Sequence, residues 1–183
     1  MEKIEKDHYY HIFNRGINSC ITFRNEDNMS YFLKLMERHL VENIDIIAYC
    51  LLNNHFHLIV KVLKDEATQA FSNLFNAYAK AFNKQQNRTG TLFERPYKRI
   101  KILDENYLKN LVLYIHKNPE KHNIVKSFTS YKFSSYQSYI NSNNTPLSKE
   151  QNYILNIFGG VVNFKHAHKS DLSAFENLTG LKD

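Results

Sequence analysis

The chain has 183 residues, of which 43% are hydrophobic and 14% aromatic, and a net charge of +6. This composition supports a packed core and excludes collagen-like, low-complexity and disordered classes. No run of about 18 apolar residues exists and residues 1–6 form no apolar signal region, so a cytoplasmic protein without a membrane partner is expected. Cys20 and Cys50 make no CxxC and imply no disulfide framework. Both are expected as buried small hydrophobes.

Residues 9–14 (Tyr-Tyr-His-Ile-Phe-Asn) read as a first strand, closed by Arg15-Gly16. Asn25 suits a helix N-cap, with Glu26 and Asp27 in the favourable first turn. Met29, Phe32, Leu33, Met36 and Leu40 follow at helical spacing to about residue 42. A second strand spans residues 44–52, and Asn53-Asn54 turns the chain into a third strand. Residues 65–86 form a long helix whose stripe is Ala70, Phe71, Leu74, Phe75, Tyr78, Ala81 and Phe82. A fourth strand covers residues 99–103 with Ile100 and Ile102 inward. Asp104 then caps a helix from 105 to about 117, which Pro119 ends or bends.

The order β-α-β-β-α-β-α is the split pattern of ferredoxin-like, or RRM-like, α+β folds. It predicts an antiparallel sheet with two helices on one face and the last helix on the other. Residues 1–140 would form this domain. Residues 141–183 would add a small helical C-terminal extension, with a polar linker at 141–145 and helices starting at Ser148 and near Asp171. Within it, His166 and His168 are expected at the surface.

Chemistry concentrates in the third strand. Residues two apart on a strand share a face. His55, His57, Ile59 and Lys61 therefore oppose the apolar set Phe56, Leu58, Val60 and Val62. Neutral imidazole is the commonest protein metal ligand, and two lie side by side here. On the 105–117 helix, Leu108, Leu111, Val112 and Ile115 must face the sheet. Tyr114 and Asn118, an i,i+4 pair, then lie on one flank, where they can border the imidazoles. His116 projects to the other flank. Two imidazoles with an amide oxygen make an open N/O site suited to Mg²⁺ or Mn²⁺. A phenol beside it is a candidate nucleophile for a phosphodiester. Between Lys84 and Lys101, six basic residues face one acid, Glu94, with Phe93 and Tyr97 interleaved. That mixture suits single-stranded nucleic acid.

His55-Phe56-His57 resembles the HUH motif, and Tyr114-Ile115-His116-Lys117-Asn118-Pro119 resembles the catalytic-helix signature of single-tyrosine HUH transposases. Over about residues 9–140 the chain is similar to the REP-associated tyrosine transposases. Asn14-Arg15-Gly16, the 92–98 stretch and Ser134-Ser135-Tyr136 add to the likeness. Asn53 stands where the family commonly has proline, and Asn123 where it often has glycine. The resemblance implies a metal-dependent single-stranded DNA endonuclease and strand transferase acting near hairpin repeats. Tyr114 would be the nucleophile, forming a 5′-phosphotyrosine intermediate. His55, His57 and Asn118 would hold a divalent metal, Mg or Mn, and no nucleotide cofactor would be used. Arg15, Arg95, Tyr97, Lys98 and Lys117 are the expected DNA contacts, and the protein would work as a monomer or homodimer. The residues leave two alternatives: a non-cleaving ferredoxin-like single-strand binder, or a domesticated inactive relative.

Overall fold

Among the residues that the computed structural model describes, 4–141 and 148–179, four strands and seven α-helices follow one another, with two short 3-10 turns between them. They are β1 (Tyr9–Arg15), α1 (Glu26–Leu40), β2 (Ile44–Leu51), β3 (His55–Val62), α2 (Ala67–Gln85), β4 (Lys98–Ile102), α3 (Glu105–Lys121), α4 (Tyr136–Ile140), α5 (Lys149–Ile157), α6 (Val161–Ala167) and α7 (Ser173–Thr179). The polar linker expected at 141–145 lies, from residue 142 on, outside the described residues. The sheet order is β2-β3-β1-β4 and every neighbouring pair is antiparallel. This is the ferredoxin-like arrangement that the element order predicts.

The pleat of β3 divides the molecule. Phe56 packs on Phe32 of α1 and Phe75 of α2, with ring centroids 5.2 and 5.5 Å apart. Each such buried side chain stabilises the fold by about 1.5–3 kcal/mol. α1 begins as its sequence requires, with the Asn25 side chain accepting the Asn28 N–H at 3.0 Å. Its buried stripe uses Leu35, with Leu33 only half-buried.

The opposite face of the sheet carries α3 and α5. Glu150 of α5 is buried and accepts from Tyr9 of β1 (2.5 Å) and Lys61 of β3 (2.8 Å). These polar anchors hold α5 across strands whose side chains alternate to that face.

Four expectations need correction. α3 does not stop near residue 117; it runs through Pro119 to Lys121. Proline forfeits one backbone bond, and the helix ends soon afterwards, where His122 N–H still reaches Asn118 O at 3.0 Å. Asn123, at φ 55°, then adopts the left-handed turn that glycine often takes. Ile100 is not inward but 38% exposed, because β4 is an edge strand, while Ile102 is buried. Cys50 is buried as expected but Cys20 is only partly so. Finally, His168 is buried, not at the surface, although His166 is exposed. α6 brings His168 onto α3, a contact between residues 52 apart that spacing cannot reveal.

Candidate active site

Two backbone segments hold the start of β3. Gly16 N–H donates to Asn54 O (2.8 Å), and the N–H groups of Thr22 and Phe23 both donate to Asn53 O (2.9 Å). Gly16 must be glycine here, since a Cβ would lie 2.1 Å from Cys20 O. The clamped Asn54 turns its side-chain oxygen to His55, which donates Nδ1–H to it at 2.7 Å. His57 has its Nδ1 3.0 Å from Nε2 of His11 on β1. The two β3 rings stand edge to face, 5.3 Å between centroids. Both imidazoles thus have Nδ1 engaged, and their Nε2 atoms are buried.

α3 crosses this face and brings Tyr114 edge-on to His57, with centroids 5.8 Å apart. One turn further on, Asn118 is fully buried, and neither end of its amide has a hydrogen-bond partner. Buried amides are normally satisfied, so this one stands out, with both polar atoms available to a partner. Two imidazole nitrogens and an amide oxygen are a donor set that suits a hard or borderline divalent cation with water completing its shell. The residues present therefore fit such an ion. Among the described residues no group of three or more His, Cys, Asp or Glu side chains forms a metal site, which leaves the asparagine as the third donor to test.

A cavity of about 40 Å³ opens onto His55 and His57 between Arg15, Glu94, Lys98 and Phe13. Arg15 sits 3.8 Å from Glu94 and donates to Ser19 Oγ at 2.6 Å. Lys98 lies over the Phe13 ring at 5.7 Å. Arg95 and Tyr97 line a separate, larger groove of about 540 Å³ against α2. Tyr97 is half-buried there, its ring 5.2 Å from Phe75 and 5.0 Å below the Arg99 guanidinium. Burial holds its phenol above the usual range.

The fold is similar to that of a REP-associated tyrosine transposase bound to a REP hairpin. The solved structure of that protein superposes with a TM-score of 0.62 at 17% identity, covering 80% of this chain and 87% of the other. No family model matches the chain, and no curated protein matches it in sequence. At this identity the likeness speaks for the fold alone.

Tyr114 is 1% exposed. Lys121 lies 4.8 Å over its ring and Phe175 of α7 packs 6.4 Å from it. Lys117, an expected DNA contact, donates to Ser170 O at 2.6 Å. Besides touching His57, the nucleophile candidate lines a cavity of about 290 Å³ with Lys121, Asp171, Leu172 and Glu176, next to α7.

Sequence reading passed over His11, His122 and Phe175, and set His168 at the surface although it is buried. His122, at the end of α3, stacks edge-on against His55 at 5.1 Å. For His11 a signal existed: Tyr9, His11 and Phe13 alternate to one face of β1. Its register against β3 was not available from local pattern. His116, which its azimuth puts on the other flank of α3, is fully buried and serves a different chain of bonds. Ser135 Oγ–H donates to its Nε2 (2.8 Å), its Nδ1–H donates to His168 Nε2 (2.9 Å), and His168 Nδ1–H donates to Phe164 O (2.8 Å). Burial first, then each other's proximity, keeps His116 neutral.

Proposed function

We propose that this protein is a divalent-metal-dependent single-stranded DNA nuclease and strand transferase, using Tyr114 as nucleophile and acting beside DNA hairpins. The observation that carries this reading is the meeting of Tyr114 with the paired imidazoles: α3 sets its ring 5.8 Å from that of His57. The ferredoxin-like fold shared with a hairpin-bound tyrosine transposase supports it. His55, His57 and Asn118 would hold the ion, Mg²⁺ or Mn²⁺. When bound, the ion supplies charge stabilisation at a phosphate oxygen and at the leaving 3′-oxygen.

The chain's own groups do the rest. The Tyr114 oxygen attacks phosphorus, the P–O3′ bond breaks, and the phenolic proton leaves as a free 3′-hydroxyl forms. The 5′-phosphate stays on Tyr114. A 3′-hydroxyl can reverse the step, so bond energy is conserved and no nucleotide cofactor is required. Arg15 and Lys98, beside the imidazoles, would contact the scissile strand. Arg95 and Tyr97, which line the groove against α2, would contact flanking nucleotides. A sheet-face binder of the RRM type is disfavoured, because α3 and α5 cover the face where bases would stack.

Incubation with hairpin-bearing single-stranded DNA and Mn²⁺ should yield a covalent protein–DNA adduct on a denaturing gel. Tyr114→Phe and EDTA should each abolish it. Cleavage that persists in Tyr114→Phe sinks the mechanism.

A further inference from the structure

His11 is fully buried, and no part of the proposed chemistry uses it directly. In the β1–β3 register Phe13 lies opposite His57 and His11 opposite Ile59, so His11 reaches His57 on the diagonal. Phe13 stacks on the His11 ring (4.5 Å, 22° between planes), and His11 lies nearly parallel to His57 (5.2 Å, 22°). That sandwich aims His11 Nε2 at His57 Nδ1, 3.0 Å away. A hydrogen bond between two neutral imidazoles has one donor and one acceptor, and which is which decides what His57 can do.

If His57 accepts at Nδ1, its proton sits on Nε2 and it cannot ligate through that atom. If it donates, Nε2 offers a lone pair. The neighbouring ring shows the second arrangement. His55 must donate its Nδ1–H, because Asn54 Oδ1 can only accept. A metal-binding histidine is commonly set in this way by an acceptor on its other nitrogen.

We propose that His11 is a positioning residue for the cation site: its Nε2 accepts the Nδ1 proton of His57, so that His57 presents an Nε2 lone pair beside that of His55. This rests on the reading of His55, His57 and Asn118 as cation ligands. His11 then carries its own proton on Nδ1. A carboxylate in its place would also accept, but would bury a negative charge at the sheet face. Imidazole provides the acceptor while remaining neutral.

The test compares wild type with His11→Phe, which keeps a stacking ring without an acceptor, and His11→Gln, whose Oε1 restores one at similar reach. His11→Asn, too short to place an acceptor there, stands in if the phenylalanine variant does not fold. Long-range ¹H–¹⁵N spectra of the metal-free protein should show His57 protonated on Nδ1 in wild type and His11→Gln, and a tautomer mixture in His11→Phe. Titration with MnCl₂ by calorimetry should show affinity falling roughly 10–100-fold in His11→Phe, with most of it recovered in His11→Gln. Wild-type His57 protonated on Nε2, or unchanged tautomer and Mn²⁺ affinity in a folded His11→Phe or His11→Asn protein, overturns the proposal. A wild-type protein that binds no Mn²⁺ overturns the underlying cation reading instead. The metal-free spectra tell that failure apart from a failure of His11.

Discussion

At Asn118 the proposed ligand role and the stability of the fold would pull in opposite directions. Its amide is fully buried with no hydrogen-bond partner at either end. Leaving such a group unsatisfied costs about 1–3 kcal/mol. Replacing it with an apolar side chain of similar shape removes that cost and also removes the proposed ligand. Asn118→Leu is therefore expected to unfold at higher urea, by roughly 1 kcal/mol or more, while forming no Mn²⁺-dependent DNA adduct. A purely structural asparagine would behave otherwise, with the substitution neutral or destabilising and activity kept.

At the scale of elements, α7 and α6 both pack on α3, α7 through Phe175 on Tyr107 and Tyr114, and α6 and the residue after it through Phe164 and His168 on His116. Tyr114 is 1% exposed, with Phe175 packed beside it and Lys121 also paired to Glu176 at 3.0 Å. The cavity that Tyr114 lines is walled by Asp171, Leu172 and Glu176, so the docking of this segment bears on access to the phenol. Phe175→Ala should weaken its docking and speed adduct formation, by about tenfold for each 1.4 kcal/mol removed, as read from single-turnover gels. An unchanged rate would mean that α7 is not what limits access.

The contact of α6 with α3 gives a separate expectation. Burial, reinforced by the nearby Lys117 charge and opposed by the bond to Phe164 O, lowers the His168 pKa from 6.5 to about 4. The unfolded chain then binds more protons than the folded one between these values. Stability should be full above pH 6.5 and fall as pH drops towards 4, by roughly 3 kcal/mol from this residue. Urea unfolding at several pH values should show that decline. It should be shallower in His168→Gln, which can still accept from His116 but cannot titrate.

Over the whole molecule, positive charge is unevenly employed. Lys61, Lys101, Lys121 and Lys132 pair with Glu150, Glu5, Glu176 and Glu26. Among the described residues no carboxylate pairs with Arg95 or Lys98, and both side chains are exposed. One lines the groove against α2 and the other the cavity of the imidazoles. A strand running between them would meet both. For single strands, each neutralised phosphate contributes about −0.7 to the slope of log affinity against log salt. The double change Arg95→Ala, Lys98→Ala should lower that slope by about 1.4 in fluorescence titrations with single-stranded DNA. A slope that stays the same would place the DNA elsewhere.

Alternation and helical period are local properties, and the sequence by itself determined what depends on them. These were the four strands, the first three helices, the shared face of His55 and His57, and the common flank of Tyr114 and Asn118. Pro119 was one local signal that misled, because the helix continues past it to Lys121 despite the lost backbone bond. Contacts between distant segments were decided only by the tertiary structure, since strand register and helix docking follow from packing over the entire chain. That packing sets Tyr114 against His57, aims His11 at His57 across β1 and β3, buries His168 on His116, and lays Phe175 beside the phenol.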